Sequence, residues 1–387
     1  MIDRWLKLNK SKSLLLLGAR RAGKTTLLRN IFKEAHYITL DDFDFFQMAE
    51  TDPKGVFENT KGDIIVDEIQ RVPKLLIAVK NRIDNYHQKV FMTGSSSLGL
   101  LSKGTETLAG RIKICECPTL CYGEEMGPPL GSFLKDQPSK TVINEARRKL
   151  DSWLEYGGFP EVMTYDNEAD KKALLKDYKN TFFTKDLLLI SNIVDARGLN
   201  GCMNYLATSI CSRIDVSSVA KESGLSHPTT KKYLNALEAS RLAFTITGHQ
   251  FGPAKRLLKS SKYYYSDISI PQSLGVRLSE GQMLELFVIS ELEKRRKLGK
   301  FDCDFFHYYE TEKGKEIDLI IDEGSIITAI EIKNTSNPRK SDVHNLIDFS
   351  IKSRKVKLRK VLLCKSEKIT TIEDVEVWPI YALYRHL

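Results

Sequence analysis

The stretch SLLLLGARRAGKTTLLRNIF, residues 13–32, decides the fold of the first part of the chain. Its run of leucines predicts a buried strand, and the residues after Lys24 predict a helix. Between them, Gly18 and Gly23-Lys24-Thr25 have the spacing of a phosphate-binding P-loop. Backbone N–H groups and a helix N-terminus attract phosphate oxygens. The stretch therefore predicts a nucleotide site in preference to a glycine-rich turn without a ligand.

The P-loop residues have separate expected roles. Lys24 is expected to reach the β- and γ-phosphates of ATP, and Thr25 to bind Mg²⁺ through its hydroxyl. The whole loop is expected to surround the nucleotide, namely Gly18, Ala19, Arg20, Arg21, Ala22, Gly23, Lys24, Thr25 and Thr26. ATP and Mg²⁺ are therefore the predicted ligands.

A second apolar strand, GDIIVDEIQ at 62–70, ends in two acids, Asp67 and Glu68. Asp67 is expected to hold Mg²⁺, as in the Walker B strand of P-loop ATPases. Glu68 is well placed to orient and deprotonate water, which hydrolysis requires and nucleotide binding alone does not. The gap between this strand and the P-loop leaves room for the intervening βα unit. The pair therefore predicts ATP hydrolysis.

A third apolar strand, KVFMTGSSS at 89–97, ends in small polar residues. In P-loop ATPases with a strand inserted between the two Walker strands, a polar side chain here contacts the γ-phosphate and the attacking water. Ser95 is the first choice for this catalytic role and Thr93 the second. The alternative is a serine that caps the next helix.

Arg111 begins another strand in TETLAGRIKI, residues 105–114. An arginine at this place can stabilise transition-state charge in its own subunit or in a neighbouring one. It can equally be a solvated residue at the start of a strand. The sequence leaves these interpretations open.

Four segments in order, GARRAGKTT, IIVDEIQRVP, MTGSSS and LAGRI, resemble the AAA+-type ATPases of a prokaryotic family related to archaeal ATPases and origin-recognition proteins. GGFPEV at 157–162 and KYYYSDISI at 262–270 resemble the C-terminal region that accompanies this ATPase. The chain departs from the family where ICECPTLCYGEEM, at 114–126, replaces a more hydrophobic segment. The end of the ATPase core is therefore left open.

The middle of the chain predicts a linker followed by helices. The segment 126–140 is rich in Gly, Pro and Ser, which is typical of a loop. The segment 141–211 has a helical pattern, with breaks expected at YGGFPEV and around Gly198. No catalytic constellation is evident there, so the segment is interpreted as a helical lid or connector.

The segment 215–246 predicts a helix–turn–helix, with Gly224 in the turn and Ser226 as the cap of the second helix. A strand-like run after it fits the wing of a winged helix. The expected core consists of Val216 or Val219, Ala220, Leu225, Leu234, Leu237 and Leu242. The second helix is expected to expose His227, Thr229, Thr230, Lys231 and Lys232. Winged helices bind either DNA or proteins, and both partners stay open, with DNA favoured.

The hairpin-like stretch KEIDLIIDEGSIITAIEIKN, residues 315–334, places acids on strands that alternate with isoleucine. Ile317, Leu319 and Ile321 are expected to face away from Asp318. Ile330 and Ile332 are expected to face away from Glu331 and Lys333. An amphipathic helix carrying Glu285 is expected to lie beside this sheet.

Glu285, Asp318, Glu331 and Lys333 resemble in order the PD-(D/E)XK nuclease core of Holliday-junction resolvases and restriction enzymes. In such a site carboxylates hold Mg²⁺ or Mn²⁺ and the lysine positions water. The usual Pro-Asp is replaced by Ile317-Asp318, which makes the pattern less specific. A decayed nuclease fold and a solvated hairpin are the alternatives. A second metal ion is thus one of the open interpretations.

Composition sets broader limits. The 387 residues carry a formal charge of +9 with a pI near 9.0, which favours polyanionic partners. The seven cysteines lack a disulfide-like spacing, and Cys115, Cys117 and Cys121 are expected to be buried thiols. No apolar run is long enough for a signal peptide or a membrane span, so a cytoplasmic protein without membrane contact is expected.

The complete prediction is an α/β protein with four regions: an AAA+-type P-loop core at 1–125, a helical lid or connector at 126–212, a winged helix at 213–275 and a nuclease-like α/β domain at 276–387. Its expected function is ATP hydrolysis coupled to DNA binding or processing. The alternative is a nucleotide-dependent switch that binds a protein partner and has an inactive nuclease-like domain. The sequence leaves open whether the chain forms a homo-oligomer.

Overall fold

Two β-sheets organise the chain in a computed structural model. The residues described are 2–97, 100, 108–127, 139–179, 187, 195–249, 261–311, 314–351 and 356–385. Most of the predicted linker at 126–140 lies outside them.

The N-terminal sheet has five parallel strands in the order β2-β3-β4-β1-β5. Its strands are β1 (Ser13–Leu17), β2 (His36–Thr39), β3 (Ile64–Asp67), β4 (Val90–Gly94) and β5 (Ile112–Glu116). The helices between them are α1 (Lys24–Ile31), α2 (Phe43–Thr51) and α3 (Leu75–Tyr86). The predicted insertion of a strand between the Walker strands is confirmed, because β4 pairs with both β1 and β3.

Burial on both faces explains why the central strands appear as continuous apolar runs. Leu15 and Leu17 pack into the core on one face of the sheet, and Leu14 and Leu16 pack on the other. The carboxyl ends of these parallel strands lie along one edge. That edge carries the P-loop and the acids that follow β3.

The middle of the chain is helical, as predicted. Its helices are α4 (Tyr122–Met126), α5 (Lys140–Tyr156), α6 (Glu168–Tyr178) and α7 (Ala196–Thr208). The break expected around Gly198 falls just before this glycine, because α7 begins at Ala196 with Asp195 as its N-cap and its first turn includes Gly198. Its N–H donates to the side chain of Asp195, which caps the helix.

Two further helices, α8 (Val216–Ser223) and α9 (His227–Ala239), form the predicted helix–turn–helix. Gly224 ends α8 with a φ of 70°, a left-handed conformation that favours glycine. Ser226 caps α9 by accepting a hydrogen bond from the N–H of Thr229. Of the alternatives for the core position, Val219 is buried and Val216 is half-buried.

The hairpin that follows, β6 (Ala243–Gly248) and β7 (Lys262–Tyr265), belongs to the second sheet. The other strands of that sheet are β8 (His307–Glu310), β9 (Glu316–Asp322), β10 (Ile326–Lys333), β11 (Lys357–Cys364), β12 (Thr370–Ile372) and β13 (Val375–Pro379). Their order is β12-β13-β11-β10-β9-β8-β6-β7. Since β6 pairs with β8, the predicted boundary near residue 275 crosses a continuous sheet.

Helix α11 (Glu280–Lys297) follows the short helix α10 (Ser269–Ser273), and α12 (His344–Asp348) follows β10. The prediction that α11 is amphipathic is wrong, because from Leu284 to Arg295 almost every side chain is buried. Its charged residues are paired inside the protein, as Arg295 is with Glu291 at 2.6 Å. The helix lies between the second sheet and α5, so it has little free face.

Candidate functional site

The P-loop forms the predicted cradle between β1 and α1. Gly23 has a φ of 90°, which favours glycine, and it begins α1. A Cβ on Gly18 would lie 2.1 Å from the carbonyl oxygen of Cys117, so only glycine fits. Lys24 is 4% exposed, and its Nζ donates to the carbonyls of Gly18 and Ala19, each at 3.0 Å. A buried cation within a loop of backbone N–H groups suits a polyphosphate.

The predicted Mg²⁺ ligands lie side by side. The hydroxyl of Thr25 donates to Oδ1 of Asp67 at 2.7 Å, and Thr93 donates to the same oxygen. Tyr37, on β2, donates its hydroxyl to Oδ2 of Asp67 at 3.0 Å. Burial, together with the negative charge of Asp67, raises the pKa of Tyr37 to about 12. A hydroxyl beside a carboxylate at a P-loop is a donor set that fits Mg²⁺.

Glu68, the predicted base, is held by its neighbours. Its backbone is left-handed with a φ of 59°, and its N–H donates to Oγ1 of Thr93 at 3.0 Å. Its carboxylate accepts a hydrogen bond from the amide of Gln70. The same amide donates to Oγ of Ser95 at 2.8 Å. The structure therefore brings both candidates, Ser95 and Thr93, to the Walker B acids.

Sequence reasoning missed Tyr37 and Gln70. Gln70 stands in the quoted Walker B segment, so its closeness to Glu68 was a usable signal. Tyr37 gave none, because its contact depends on the lateral pairing of β2 with β3.

Arg111 lies at the opposite edge of the sheet from the P-loop. Ile112 pairs with Ser13 at the start of β1, whereas Leu17, next to the P-loop, pairs with Glu116. The Nε of Arg111 donates to Asp84 at 2.7 Å, and both side chains are about one-third exposed. In this arrangement Arg111 lies far from the P-loop of its own subunit and is paired at the surface, as in the interpretation of a solvated residue at the start of a strand. A role in a neighbouring subunit stays a prediction.

The GGFPEV segment, in which no site residue was expected, lies against the P-loop. Arg21 has a φ of 63°, and its guanidinium is 3.2 Å from Oε2 of Glu161. The same oxygen accepts a hydrogen bond from the hydroxyl of Tyr178 at 2.8 Å. Pro160 lies 3.5 Å from the position that a Cβ on Gly23 would take. The helical region therefore borders the nucleotide site.

Asp267, in the other segment of the family resemblance, joins three parts of the chain. Its buried carboxylate accepts hydrogen bonds from Thr119 at 2.6 Å, Lys294 at 2.9 Å and the N–H of Gly158 at 3.1 Å. Burial acts to raise the pKa of Asp267, but Lys294 and the hydrogen bonds hold it below its ordinary value. Through Asp267, α11 is therefore connected to the segment after β5 that carries Thr119.

The loop after β4 contacts the helix–turn–helix directly. The N–H of Ser97 donates to the carbonyl of Ala239, the last residue of α9, at 3.2 Å. Arg241 donates to Oγ of Ser97 at 2.7 Å and lies 3.4 Å from a carboxylate oxygen of Glu116. Two strand ends of the ATPase sheet are therefore tied to the end of α9.

The N-terminal end of α9 exposes fewer residues than expected. His227, Lys231 and Lys232 are exposed, and Thr229 is half-buried. The expectation for Thr230 is wrong, because it is fully buried and its hydroxyl donates to the carbonyl of Ser226. The remaining exposed face is basic.

The four residues of the nuclease-like pattern lie close together. Lys333 Nζ is 2.6 Å from Oε1 of Glu331, and Oδ2 of Asp318 accepts the N–H of Ile332 at 2.7 Å. Glu285 and Asp318 interact electrostatically. Glu331 is only 3% exposed, which contradicts the alternative of a solvated hairpin. With Glu316, these carboxylates are called the acidic cluster below: Glu285, Glu316, Asp318 and Glu331.

Burial makes two carboxylates of the acidic cluster hard to ionise. It raises the pKa of Glu285 to about 7 and that of Glu331 to about 8, and the charge of Asp318 adds to both shifts. Oε2 of Glu331 has no hydrogen-bond partner among the described residues. Within those residues, no group of three or more Asp, Glu, His or Cys side chains is arranged to hold a metal ion.

Two residues from β7 complete this region and were not predicted. The hydroxyl of Tyr264 donates to Oε1 of Glu285 at 2.7 Å. Lys262, 3% exposed, forms an ion pair with Glu316 and lies 3.9 Å from the same oxygen of Glu285. Sequence patterns gave no signal for them, because β7 is separated from β9 and β10 by α11 along the chain.

The alternation predicted for β9 is interrupted. His307 pairs with Ile320 and Tyr309 with Ile317, so β9 has one extra residue between the two pairs. This bulge turns Ile317 to the sheet face opposite Leu319, against the prediction. The irregularity lies between Ile317 and Ile320, a segment that contains Asp318 of the acidic cluster. On β10 the predicted alternation is confirmed. Ile330 pairs with Val361 and Glu331 pairs with Leu362 on the neighbouring strand, and Val361 and Leu362 pack on opposite faces of the sheet.

One family model matches the N-terminal region of the chain. Residues 10–126 match the sequence model of the AAA domain. This match supports an AAA+ P-loop ATPase, in agreement with the arrangement of Lys24, Thr25 and Asp67. Relatives of this class generally use ATP and Mg²⁺. Residues 147–280 and 280–383 match two domains of unknown function, DUF8612 and DUF4143.

Similar whole proteins occur in bacteria and archaea. The chain is 26% identical over 345 residues to the uncharacterized protein Rv2008c of Mycobacterium tuberculosis, covering 86% of this chain and 72% of that protein. It is 25% identical over 403 aligned positions to the uncharacterized protein MJ1544 of Methanocaldococcus jannaschii, covering 96% of this chain and 87% of that protein.

Two solved structures align more distantly. The Aeropyrum pernix ORC1 protein, solved in complex with DNA, has a TM-score of 0.31 and 12% identity over 69% of this chain and 87% of its own. A STAND protein with a tetratricopeptide repeat sensor, PH0952 from Pyrococcus horikoshii, has a TM-score of 0.26 and 14% identity over 76% of this chain and 45% of its own. Neither score supports an argument about this chain. Among the helices described, none is both long and apolar enough to cross a membrane.

Proposed function

We propose that this protein hydrolyses ATP and uses the nucleotide state to control how its helix–turn–helix binds DNA. The observation that carries the proposal is the direct contact between the loop after β4 and the end of α9, made by Ser97 with Ala239 and Arg241. Because Ser95 contacts the Gln70 amide that holds Glu68, the same loop also borders the predicted catalytic residues. A shift of this loop would therefore move α9.

Each residue of the site has a task in hydrolysis. Lys24 and the N–H groups of the loop bind the phosphates, while Thr25 and Asp67 hold Mg²⁺, which neutralises phosphate charge when bound. Glu68 orients the attacking water and takes its proton. Thr93 fixes the positions of Glu68 and Asp67, because its hydroxyl accepts a hydrogen bond from the N–H of Glu68 and donates one to the carboxylate of Asp67.

DNA is the partner favoured for α9. His227, Lys231 and Lys232 are exposed near the helix N-terminus, where recognition helices meet the major groove. The overall charge of +9 adds long-range attraction for phosphate. DNA binding should therefore weaken steeply with salt.

The test measures ATP turnover and DNA affinity together. Native protein is expected to hydrolyse ATP and to bind DNA with an affinity that differs at least threefold between ATP and ADP. Arg241→Ala should reduce this difference, because it removes the bonds to Ser97 and Glu116. Arg359→Ala, which removes an arginine paired with Glu376 in the second sheet, serves as the matched control.

Three outcomes of this test would contradict the proposal or favour a protein partner over DNA. DNA affinity that is equal in ATP and ADP would contradict the coupling. Salt-insensitive association with a protein, without DNA binding, would favour a nucleotide-dependent regulator instead. Absence of ATP binding by calorimetry would overturn the proposal as a whole.

Metal-dependent cleavage of DNA is a second candidate function. It is favoured by the convergence of Glu285, Asp318, Glu331 and Lys333 and by the buried Oε2 of Glu331, which has no partner among the described residues. Because these carboxylates are not arranged to hold a metal ion as they stand, they would have to shift to hold Mg²⁺ or Mn²⁺. Lys333 would then position water or phosphate. Glu331→Ala should abolish nicking of branched or linear DNA in Mg²⁺ or Mn²⁺. Nicking that persists in this variant would come from another site or a contaminant.

A further inference from the structure

Lys262 is a buried cation placed inside the acidic cluster by a strand that carries none of its acids. It lies on β7, which ends the second sheet and pairs with β6. Its side chain is 4% exposed. Nζ forms an ion pair with Glu316, lies 3.9 Å from Oε1 of Glu285 and is 5.4 Å from the ring centre of Tyr308. The lysine therefore cannot leave for solvent without movement of the strand.

The second lysine of the cluster differs in this respect. Lys333 is 41% exposed and pairs with Oε1 of Glu331. Its side chain can turn outward while its strand stays in place. Oε2 of Glu331 is buried and has no partner among the described residues, so the cluster has an oxygen available for a further cation. Lys262 therefore limits the access of a metal ion to the carboxylates more strongly than Lys333 does.

We propose that Lys262 is a built-in cation that keeps divalent metal ions out of the acidic cluster. The inference rests on the cleavage function considered above, because the same carboxylates would hold the metal. An ammonium group and a divalent ion compete for the same oxygens, and they repel each other strongly in a poorly solvated site. Mg²⁺ also requires close, regular oxygen ligands, which Glu285 cannot supply while it faces Lys262.

The wing therefore controls the metal site. Lys262 and Tyr264 both contact Glu285 from β7, so a shift of the hairpin formed by β6 and β7 would remove a competing charge and free a ligand together. The hairpin follows α9 in the chain, which links access of metal to the element proposed to bind DNA. DNA-bound protein is the state in which the cluster would accept a metal.

The test is a titration of the nucleotide-free, full-length protein with MnCl₂ by isothermal calorimetry. Lys262→Met keeps much of the side-chain volume and removes the charge. It is expected to bind Mn²⁺ at least tenfold more tightly than native protein. The gain should disappear in the double variant K262M/E331Q, because Glu331 supplies a ligand. Lys360→Met is the matched control, since Lys360 is also buried and paired, with Asp374, but lies on β11.

Native-like circular dichroism establishes that each variant is folded. The proposal is overturned if K262M binds Mn²⁺ no more tightly than native protein, or if the gain persists in the double variant. Should K262M not fold, native protein is compared with Glu331→Gln. Equal Mn²⁺ binding supports exclusion of metal by the lysine, and weaker binding in the variant contradicts it. Tight metal binding by K262M without DNA cleavage would overturn the cleavage function and leave this inference standing.

Discussion

Glu68 combines a strained backbone with a restrained side chain. A non-glycine residue at a φ of 59° is uncommon, and such conformations persist where neighbours hold them. Here the N–H bond to Thr93 and the amide of Gln70 hold the residue. Restraint of this kind is useful for a base that must meet a water molecule in one direction.

Glu68→Gln should bind ATP normally and lose hydrolysis. The amide keeps the shape of the side chain but cannot accept the proton of the attacking water, so turnover is expected to fall about 10²- to 10⁴-fold. Steady-state phosphate release measures turnover, and calorimetry measures ATP binding. Unchanged turnover would remove Glu68 from the role of base.

Gln70→Ala tests the positioning of Glu68. Without the amide, the carboxylate loses an orienting bond, so kcat is expected to fall about tenfold while KM for ATP changes little. Gln88→Ala is the control, because its amide donates to the carbonyl of Thr60, away from the site. A kcat at or above the native value would show that Gln70 restrains the base instead of aligning it.

At this scale, the spacing of the motifs predicted where the site residues lie, while their roles stay predictions. Lys24, Thr25, Asp67 and Glu68 lie where the pattern places them, because strand, loop and helix are consecutive in the chain. Arg111 was ambiguous because a residue at the start of a strand can lie at either edge of a sheet until the register is known.

Buried charge explains the features of single elements that the sequence did not reveal. Helix α11 has polar residues on every face, yet they are paired inside the protein. Lys294 pairs with Asp267 and Arg295 with Glu291. Periodicity alone interprets such residues as a solvated face.

Asp267→Asn should destabilise the protein strongly. The substitution leaves Lys294 buried without a counter-ion, and breaking a buried pair in this way costs about 3–5 kcal/mol. Chemical denaturation measures the free energy of unfolding. Asp348→Asn breaks the half-exposed pair with Lys315 and should change stability little. Equal losses in both variants would contradict the special role of Asp267.

The acidic cluster should make stability depend on pH. Because folding raises the pKa of Glu331 from 4.5 to about 8, the folded state binds more protons than the unfolded state between these values. The free energy of unfolding should therefore fall as pH rises from about 4.5 to about 8, with EDTA present. Glu331→Gln should flatten this slope.

The control for this titration is Glu376→Gln. Arg359 holds the pKa of Glu376 below its ordinary value, so this variant should leave the slope above pH 4.5 unchanged. A native protein whose stability rises over the same range would contradict the burial of protonated carboxylates in the cluster.

In the whole molecule, the hairpin of β6 and β7 and the C-terminal strands share one sheet. Strand β6 pairs with β7 on one side and with β8 on the other. The sequence predicted both sets of strands but assigned them to separate domains, because lateral pairing across α11 leaves no local pattern. The sequence could predict the individual strands and helices, but it could not predict which strands pair with each other.

Hydrogen exchange under native conditions tests whether β6 opens as one cooperative unit with β8 and β9. Amides of β6 should open with the same free energy as those of β8 and β9, because strands of one sheet open together. Mass spectrometry at increasing denaturant measures these opening free energies, with β2 of the other sheet as a reference. Loss of protection in β6 at much lower denaturant than in β8 would show that the hairpin of β6 and β7 is an independent unit.

The shared sheet also limits which segments of the chain can be exchanged by recombination during evolution. Recombination that replaced only the segment carrying α8, α9, β6 and β7 would remove the neighbour of β8 and expose an aggregation-prone edge. It would also remove Lys262, which pairs with Glu316 of the acidic cluster. Descendants of this architecture are thus expected to acquire or lose both modules as a single genetic block.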